Sequence, residues 1–252
     1  MKKVFLTVIV FTTAILFSTN SIAQYDISTA VYQSVALKLT PQAYAPKSMI
    51  FNGTGSKLFV LDNNDDDINE YSLSTPFDIS TATFSKIALD ISGQETWVNS
   101  IKFNNNGTKL YLMGDVGDDI NEYSMTTPYE VSTATFSQIA LSNIPDQHPL
   151  DMIFNNNGSK LYVVGDLEKI FEYSLPTAYD ISTAINNGIA LYVNEADVPI
   201  SLLFNGDGSK LYILGFQEST IFEYSLPTSY DISTGSYTKK VLTNVHDSAP
   251  QC

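Results

Sequence analysis

Short bursts of apolar residues recur along this chain at a fixed spacing. Each burst closes on a phenylalanine, at Phe51, Phe103, Phe154 and Phe204, so the offsets are 52, 51 and 50 residues. Self-similarity near 50 residues, built from strand-length segments, marks a repeat architecture. Within each unit the pattern predicts four strands. The first is the apolar stretch ending on the phenylalanine, as in 48–51 and 201–204. Asn52–Gly55, Asn104–Gly107, Asn155–Gly158 and Asn205–Gly208 follow as tight turns, because a left-handed glycine closes a hairpin at little steric cost. The second strand is nearly all apolar (57–61, 109–113, 160–164, 210–214), as expected of a strand covered on both faces. The third begins at Ile68, Ile120, Ile170 and Ile221 and carries Glu-Tyr-Ser. An acidic Ser-Thr turn after Phe77, Tyr129, Tyr179 and Tyr230 leads into the fourth, and its acid can accept a backbone N–H two residues on. No helical periodicity interrupts the pattern.

Four short antiparallel strands per roughly 50 residues make the blade of a β-propeller. The expected fold is all-β: a propeller-like array of four-stranded antiparallel blades over residues 24–252, with complete repeats starting near 47, 99, 150 and 200. Tyr25–Ala30 repeats the acidic turn and is followed by Val31–Leu37, so an orphan fourth strand precedes the four units. This count predicts a C-terminally incomplete piece of a longer propeller. A five-blade ring with a defective blade, or a dimer of open halves, are the alternatives.

The Phe-Asn-x-x-Gly-x-Lys-Leu-Tyr segments resemble the first hairpin of bacterial WD-like and YVTN-type propeller repeats. The longer phrase, with Glu-Tyr-Ser-Leu-x-Thr and Tyr-Asp-Ile-Ser-Thr-Ala, is similar to repeats of bacterial secreted and phage tail-associated proteins. That resemblance spans most of residues 25–250 and implies a propeller. Such propellers serve as lactonases, glycan binders, adhesins and scaffolds, so it leaves the ligand open.

Charge and targeting narrow the address. Lys2 and Lys3, an apolar run over 4–17 and small residues at Ser21 and Ala23 compose a secretory signal peptide over 1–23. The run is short for a membrane span, so no membrane insertion is expected after its removal. Removal would leave 11 lysines against 27 acids, a formal charge of −16, with no arginine anywhere. Such a surface excludes nucleic acid as a partner. Cys252 is the only cysteine, so the core has no internal disulfide to help it. The chain is expected to be secreted, periplasmic or at the cell surface.

Shared residues serve the repeat, so chemistry is sought where the copies differ. The recurring Lys57, Lys109, Lys160 and Lys210, and Glu70, Glu122, Glu172 and Glu223, read as a structural cation–carboxylate contact in each blade. Hairpin acids Asp62, Asp65, Asp67, Asp115, Asp118 and Asp119 are candidate Ca²⁺ ligands, although the spacing of a dedicated calcium loop is missing; otherwise no cofactor is expected. Trp97 is the only tryptophan. With Glu95, Asp146, His148 and Asp197 it marks a varied set of inter-blade loops, read as a binding surface where Trp97 stacks on a sugar ring or else packs in the core. No nucleophile–base set is recognisable. The first reading is an exported non-enzymatic binding or scaffold module for glycan or protein. A lactonase-type hydrolase with a central metal, and a structural repeat of a longer surface or tail-fibre protein, are the alternatives.

Overall fold

A computed structural model describes residues 35–146 and 148–242. The signal peptide, the turn at Tyr25, most of the orphan strand, His246 and Cys252 lie outside the described residues. The chain forms four blades of a propeller, each a four-stranded antiparallel sheet in sequence order. Blade 1 holds β1 (Pro46–Phe51), β2 (Lys57–Asp62), β3 (Asp67–Leu73) and β4 (Ala82–Asp90). Blade 2 holds β5 (Val98–Phe103), β6 (Lys109–Gly114), β7 (Asp119–Met125) and β8 (Ala134–Leu141). Blade 3 holds β9 (Pro149–Phe154), β10 (Lys160–Gly165), β11 (Lys169–Ser174) and β12 (Ile185–Tyr192). Blade 4 holds β13 (Pro199–Phe204), β14 (Lys210–Gly215), β15 (Thr220–Ser225) and β16 (Ser236–Leu242). The expected all-β blades are thus found, and the acidic turn before each fourth strand is tightened into a single 3₁₀ turn, as at Ile79–Thr81.

The repeated phrase folds into one latch per blade. Gly55, Gly107, Gly158 and Gly208 have φ between 68° and 71°. The aromatic of the later turn (Phe77, Tyr129, Tyr179 or Tyr230) lies flat over that glycine and donates its backbone N–H to the glycine carbonyl, for example Tyr129 to Gly107 at 2.8 Å. The same ring meets the phenylalanine that ends the inner strand, with Phe103 and Tyr129 centroids 5.3 Å apart and nearly perpendicular. Hairpin, inner strand and turn are therefore fastened together at one end of each blade. The recurring lysine and glutamate also pair within their blade, at 3.3 Å for Lys57–Glu70, 3.0 Å for Lys109–Glu122 and Lys160–Glu172, and 3.1 Å for Lys210–Glu223.

Blades pack face to face. Phe59, Leu61 and Ile68 of blade 1 meet Ile101, Leu110 and Leu112 of blade 2, and equivalent clusters join blade 2 to blade 3 and blade 3 to blade 4. Two buried tyrosines add directional ties: Tyr111 donates to the Tyr179 carbonyl and Tyr162 to the Tyr230 carbonyl of the following blade. The other face of blade 1 is covered by Leu37, Leu39 and Ala43, the end of the orphan strand and its loop. That segment sits on blade 1 as Leu89 and Ile91 sit on blade 2. Its cover is partial: Met49 is 66% exposed, whereas its counterparts Ile101, Met152 and Leu202 are buried.

Blades 1 and 2 share one ionic tie that the repeat does not require. Glu130 accepts from Lys57 at 2.7 Å and from Lys86 at 2.6 Å. Those hydrogen bonds, Lys57 first, then Lys86 and Ser132, hold the Glu130 carboxyl at about 2, below its usual 4.5. A depressed carboxylate stabilises the fold above the unfolded value and loses that contribution as pH falls towards 2. Glu130→Gln should therefore cost about 1 kcal/mol at pH 7, after discounting for solvent screening. The wild-type advantage should vanish in denaturant melts near pH 2, and an advantage that survives there would refute the tie.

Candidate functional site

Antiparallel blades place their connections at two ends of the molecule. One end carries the latches. The other carries the β2–β3-type hairpins and the loops that pass from one blade to the next, and all the residues expected to bind or chelate fall there. Each inter-blade loop has one carboxylate that accepts backbone N–H from it, buried in blades 1 to 3 and exposed in blade 4. In blade 1 it is Asp62, taking Ala45 N at 2.7 Å and Tyr44 N at 3.3 Å. In blade 2 it is Glu95, taking Thr96 N at 2.9 Å, Trp97 N at 3.0 Å and Val116 N at 3.3 Å. In blade 3 it is Asp146, taking His148 N at 3.1 Å, and in blade 4 it is Glu218, taking Asp197 N at 3.3 Å.

The source of this carboxylate switches between loop and hairpin. Where the loop supplies it, the hairpin position is Gly114 or Gly165; an added Cβ there would come within 2.6 Å of the Glu95 carboxyl or 2.4 Å of the Asp146 carboxyl. Where the loop residue is Ala43, the hairpin position supplies Asp62; where it is Ala196, the hairpin position is again a glycine, Gly215, and Glu218 three residues on supplies the carboxylate. Glu95 is 1% exposed and Asp146 is fully buried, so both lie under the loop, out of reach of a ligand. Burial, the dominant cause, raises both carboxyls above the usual carboxylate range against the pull of the N–H groups.

Trp97 lies above its clamp, 59% exposed, which removes the core-packing expectation. Its carbonyl accepts Asp115 N at 2.9 Å, and Val116, half exposed, hangs from the same Glu95 oxygen. Asn99 donates to Asp115 at 2.8 Å and to the Pro149 carbonyl at 3.0 Å, and His148 Nδ1 stands 3.8 Å from Asp115 Oδ2. Burial raises the Asp115 carboxyl, with His148 and Asn99 opposing. Trp97, Asp115, Val116 and His148 therefore form one contiguous patch across blades 2 and 3. Asp197 is exposed on the blade 4 loop, and Tyr44 is exposed on the loop of blade 1.

The remaining hairpin acids have individual partners. Asp67 accepts from Asn69 at 2.6 Å, Asp119 from Asn121 at 2.8 Å, and Asp65 from Asn64 at 2.8 Å. Asp118 holds the left-handed hairpin position with φ 48°, and its carbonyl takes Ile144 N. Asp67 is pushed up to about 6, first by burial and then by Asp62 and Asp65. Among the described residues no three His, Cys, Asp or Glu side chains converge on a point.

Sequence reasoning missed a pair near the central axis. The inner strands carry Ser48, Ser100 and Ser201 at one position, and blade 3 has Asp151 there. Two positions along, Ile50, Ile153 and Leu203 have Lys102 as their blade 2 counterpart. Lys102 meets Asp151 at 2.9 Å. Asp151 also accepts Ser100 at 2.6 Å, Met152 N at 2.9 Å, Ser201 at 2.9 Å and Leu202 N at 3.1 Å. One carboxylate thus joins three blades. The available signal was that both residues depart from their repeat positions.

No protein family matches the chain, and no curated protein matches its sequence. Solved structures match in fold. A Bacteroides fragilis protein provisionally assigned as a 6-phosphogluconolactonase aligns with TM-score 0.50 at 14% identity, covering 79% of this chain and 55% of its own. A Lactobacillus plantarum protein aligns at 0.51 and 14%, with the same coverage. A chain of the nidogen/laminin complex aligns at 0.51 and 13%, covering 83% of this chain and 67% of its own. This chain thus spans about half the length of the first two. The likeness places the chain among propellers and says nothing further of its chemistry.

Proposed function

We propose that this chain is an exported, non-enzymatic binding module that docks a protein partner on its inter-blade-loop end. The observation that carries the reading is Trp97, more than half exposed on a loop whose backbone is clamped from below. A large aromatic held rigid offers contact area at low entropic cost, which suits an interface anchor. Around it stand Asp115, Asp118 and, one loop away, Asp197, so the partner segment it fits is cationic, with a lysine or arginine over the indole face. Export is supported by the signal-peptide pattern of residues 1–23. A hydrolase with a metal on the axis finds less support, because Asp151 is already saturated by five donors.

Calorimetric titration with a lysine- and arginine-containing peptide, at physiological ionic strength, should give saturable binding. Trp97→Ala should weaken it about tenfold. Unchanged binding by Trp97→Ala, or no saturable binding of the peptide, would refute a protein-docking role.

A further inference from the structure

The Lys102–Asp151 pair has no counterpart in the other blades. Lys102 lies next to the last residue of its inner strand and opens into a cavity of about 260 Å³ at the latch end, remote from Trp97. The walls come from three blades: Asn105 from blade 2, Asn156 and Tyr179 from blade 3, and Phe204 and Tyr230 from blade 4. The turns around it are braced, with Asn105 Nδ2 donating to the Asn156 carbonyl at 2.7 Å and the Tyr179 hydroxyl to the same carbonyl at 3.2 Å.

We propose that this latch-end cavity binds one neutral sugar ring. An ammonium has three donors, and Asp151 takes one of them, which leaves donors for ligand hydroxyls. The charge of Lys102 is already matched by Asp151, in a protein of formal charge −14, so the cavity gives an anion little advantage. Side-chain amides at Asn105 and Asn156 supply both donors and acceptors, and the rings of Tyr179, Phe204 and Tyr230 supply apolar wall for the C–H face of a pyranose. Apolar walls with a few placed polar groups are the common make-up of a small-ligand site. The other blades hold isoleucine or leucine and serine at these positions, so the repeat itself does not call for the lysine, although Asp151 also takes hydrogen bonds from three blades.

Saturation-transfer NMR on the full chain tests this, with methyl β-D-glucopyranoside, methyl β-D-galactopyranoside and N-acetyl-D-glucosamine as probes. At least one should show transfer. Lys102→Ile with Asp151→Ser, which installs residues found at these positions in other blades, should stay folded with a lowered melting temperature, because Met152 N and Leu202 N lose their acceptor, and should weaken binding about tenfold. Asn156→Ala, on an exposed turn, should weaken binding if the double variant fails to fold. Trp97→Ala should bind the sugar as wild type does, so failure here is distinguishable from failure of the loop-end reading. Silence from all three probes, undiminished transfer to the folded double variant or, should that variant fail to fold, to Asn156→Ala, or tighter binding of glucuronate than of the neutral sugars would overturn the proposal.

Discussion

Gly107→Ala should lower the unfolding free energy by about 3 kcal/mol, an effect expected only where backbone strain and a steric clash coincide. At φ 68° an L side chain costs about 1 kcal/mol by itself. The added Cβ would also stand 2.3 Å from the Tyr129 ring. That ring cannot swing away cheaply, because it packs edge-on against Phe103 and its backbone N–H is bonded to Gly107. Gly93→Ala is the control: nothing lies within 4 Å of its added Cβ, and its φ is not left-handed. Its change should stay within about 0.5 kcal/mol. Equal losses in the two variants, measured by denaturant unfolding, would mean that the latch does not hold the blade.

Glu95→Ala should cost about 2–3 kcal/mol, because three backbone N–H groups lose their acceptor together. Glu95→Gln keeps one acceptor oxygen and should cost about 1 kcal/mol or less. Trp97 reports the same event locally, since it is the only tryptophan and its N–H is one of the three. Its fluorescence anisotropy should fall in the alanine variant and hold in the glutamine variant. If alanine leaves both the melting curve and the anisotropy unchanged, the carboxylate is not what shapes the loop.

The blades were legible because burial on both faces forces a signal into the sequence. A second strand pressed between two neighbours must be apolar throughout, and Leu110–Met113 is. The turn glycines were legible for their backbone, but the aromatic latch was not. Tyr129 reads as the start of an acidic turn, and only the folded chain shows it covering Gly107. The loop carboxylates were hidden for another reason. Glu95 and Asp146 share one repeat position, but Asp62 and Glu218 serve their loops from the hairpin, so alignment of the copies does not gather the four. Glu95 and Asp146 then read as variable surface residues, although each is buried. Lys102 and Asp151 stood in different copies, and their departures from the pattern become one observation only when the inner strands are brought together.

The clamp holds its loop through backbone N–H groups, whatever the source of the carboxylate. It is therefore indifferent to the side chains above it. Tyr44, Trp97, His148 and Asp197 occupy such positions and share no chemistry. The end of the molecule that holds them can be rewritten residue by residue while the loop path stays the same. In an engineered library, these four positions could be randomised together as a recognition surface, with Asp62, Glu95, Asp146 and Glu218 kept fixed.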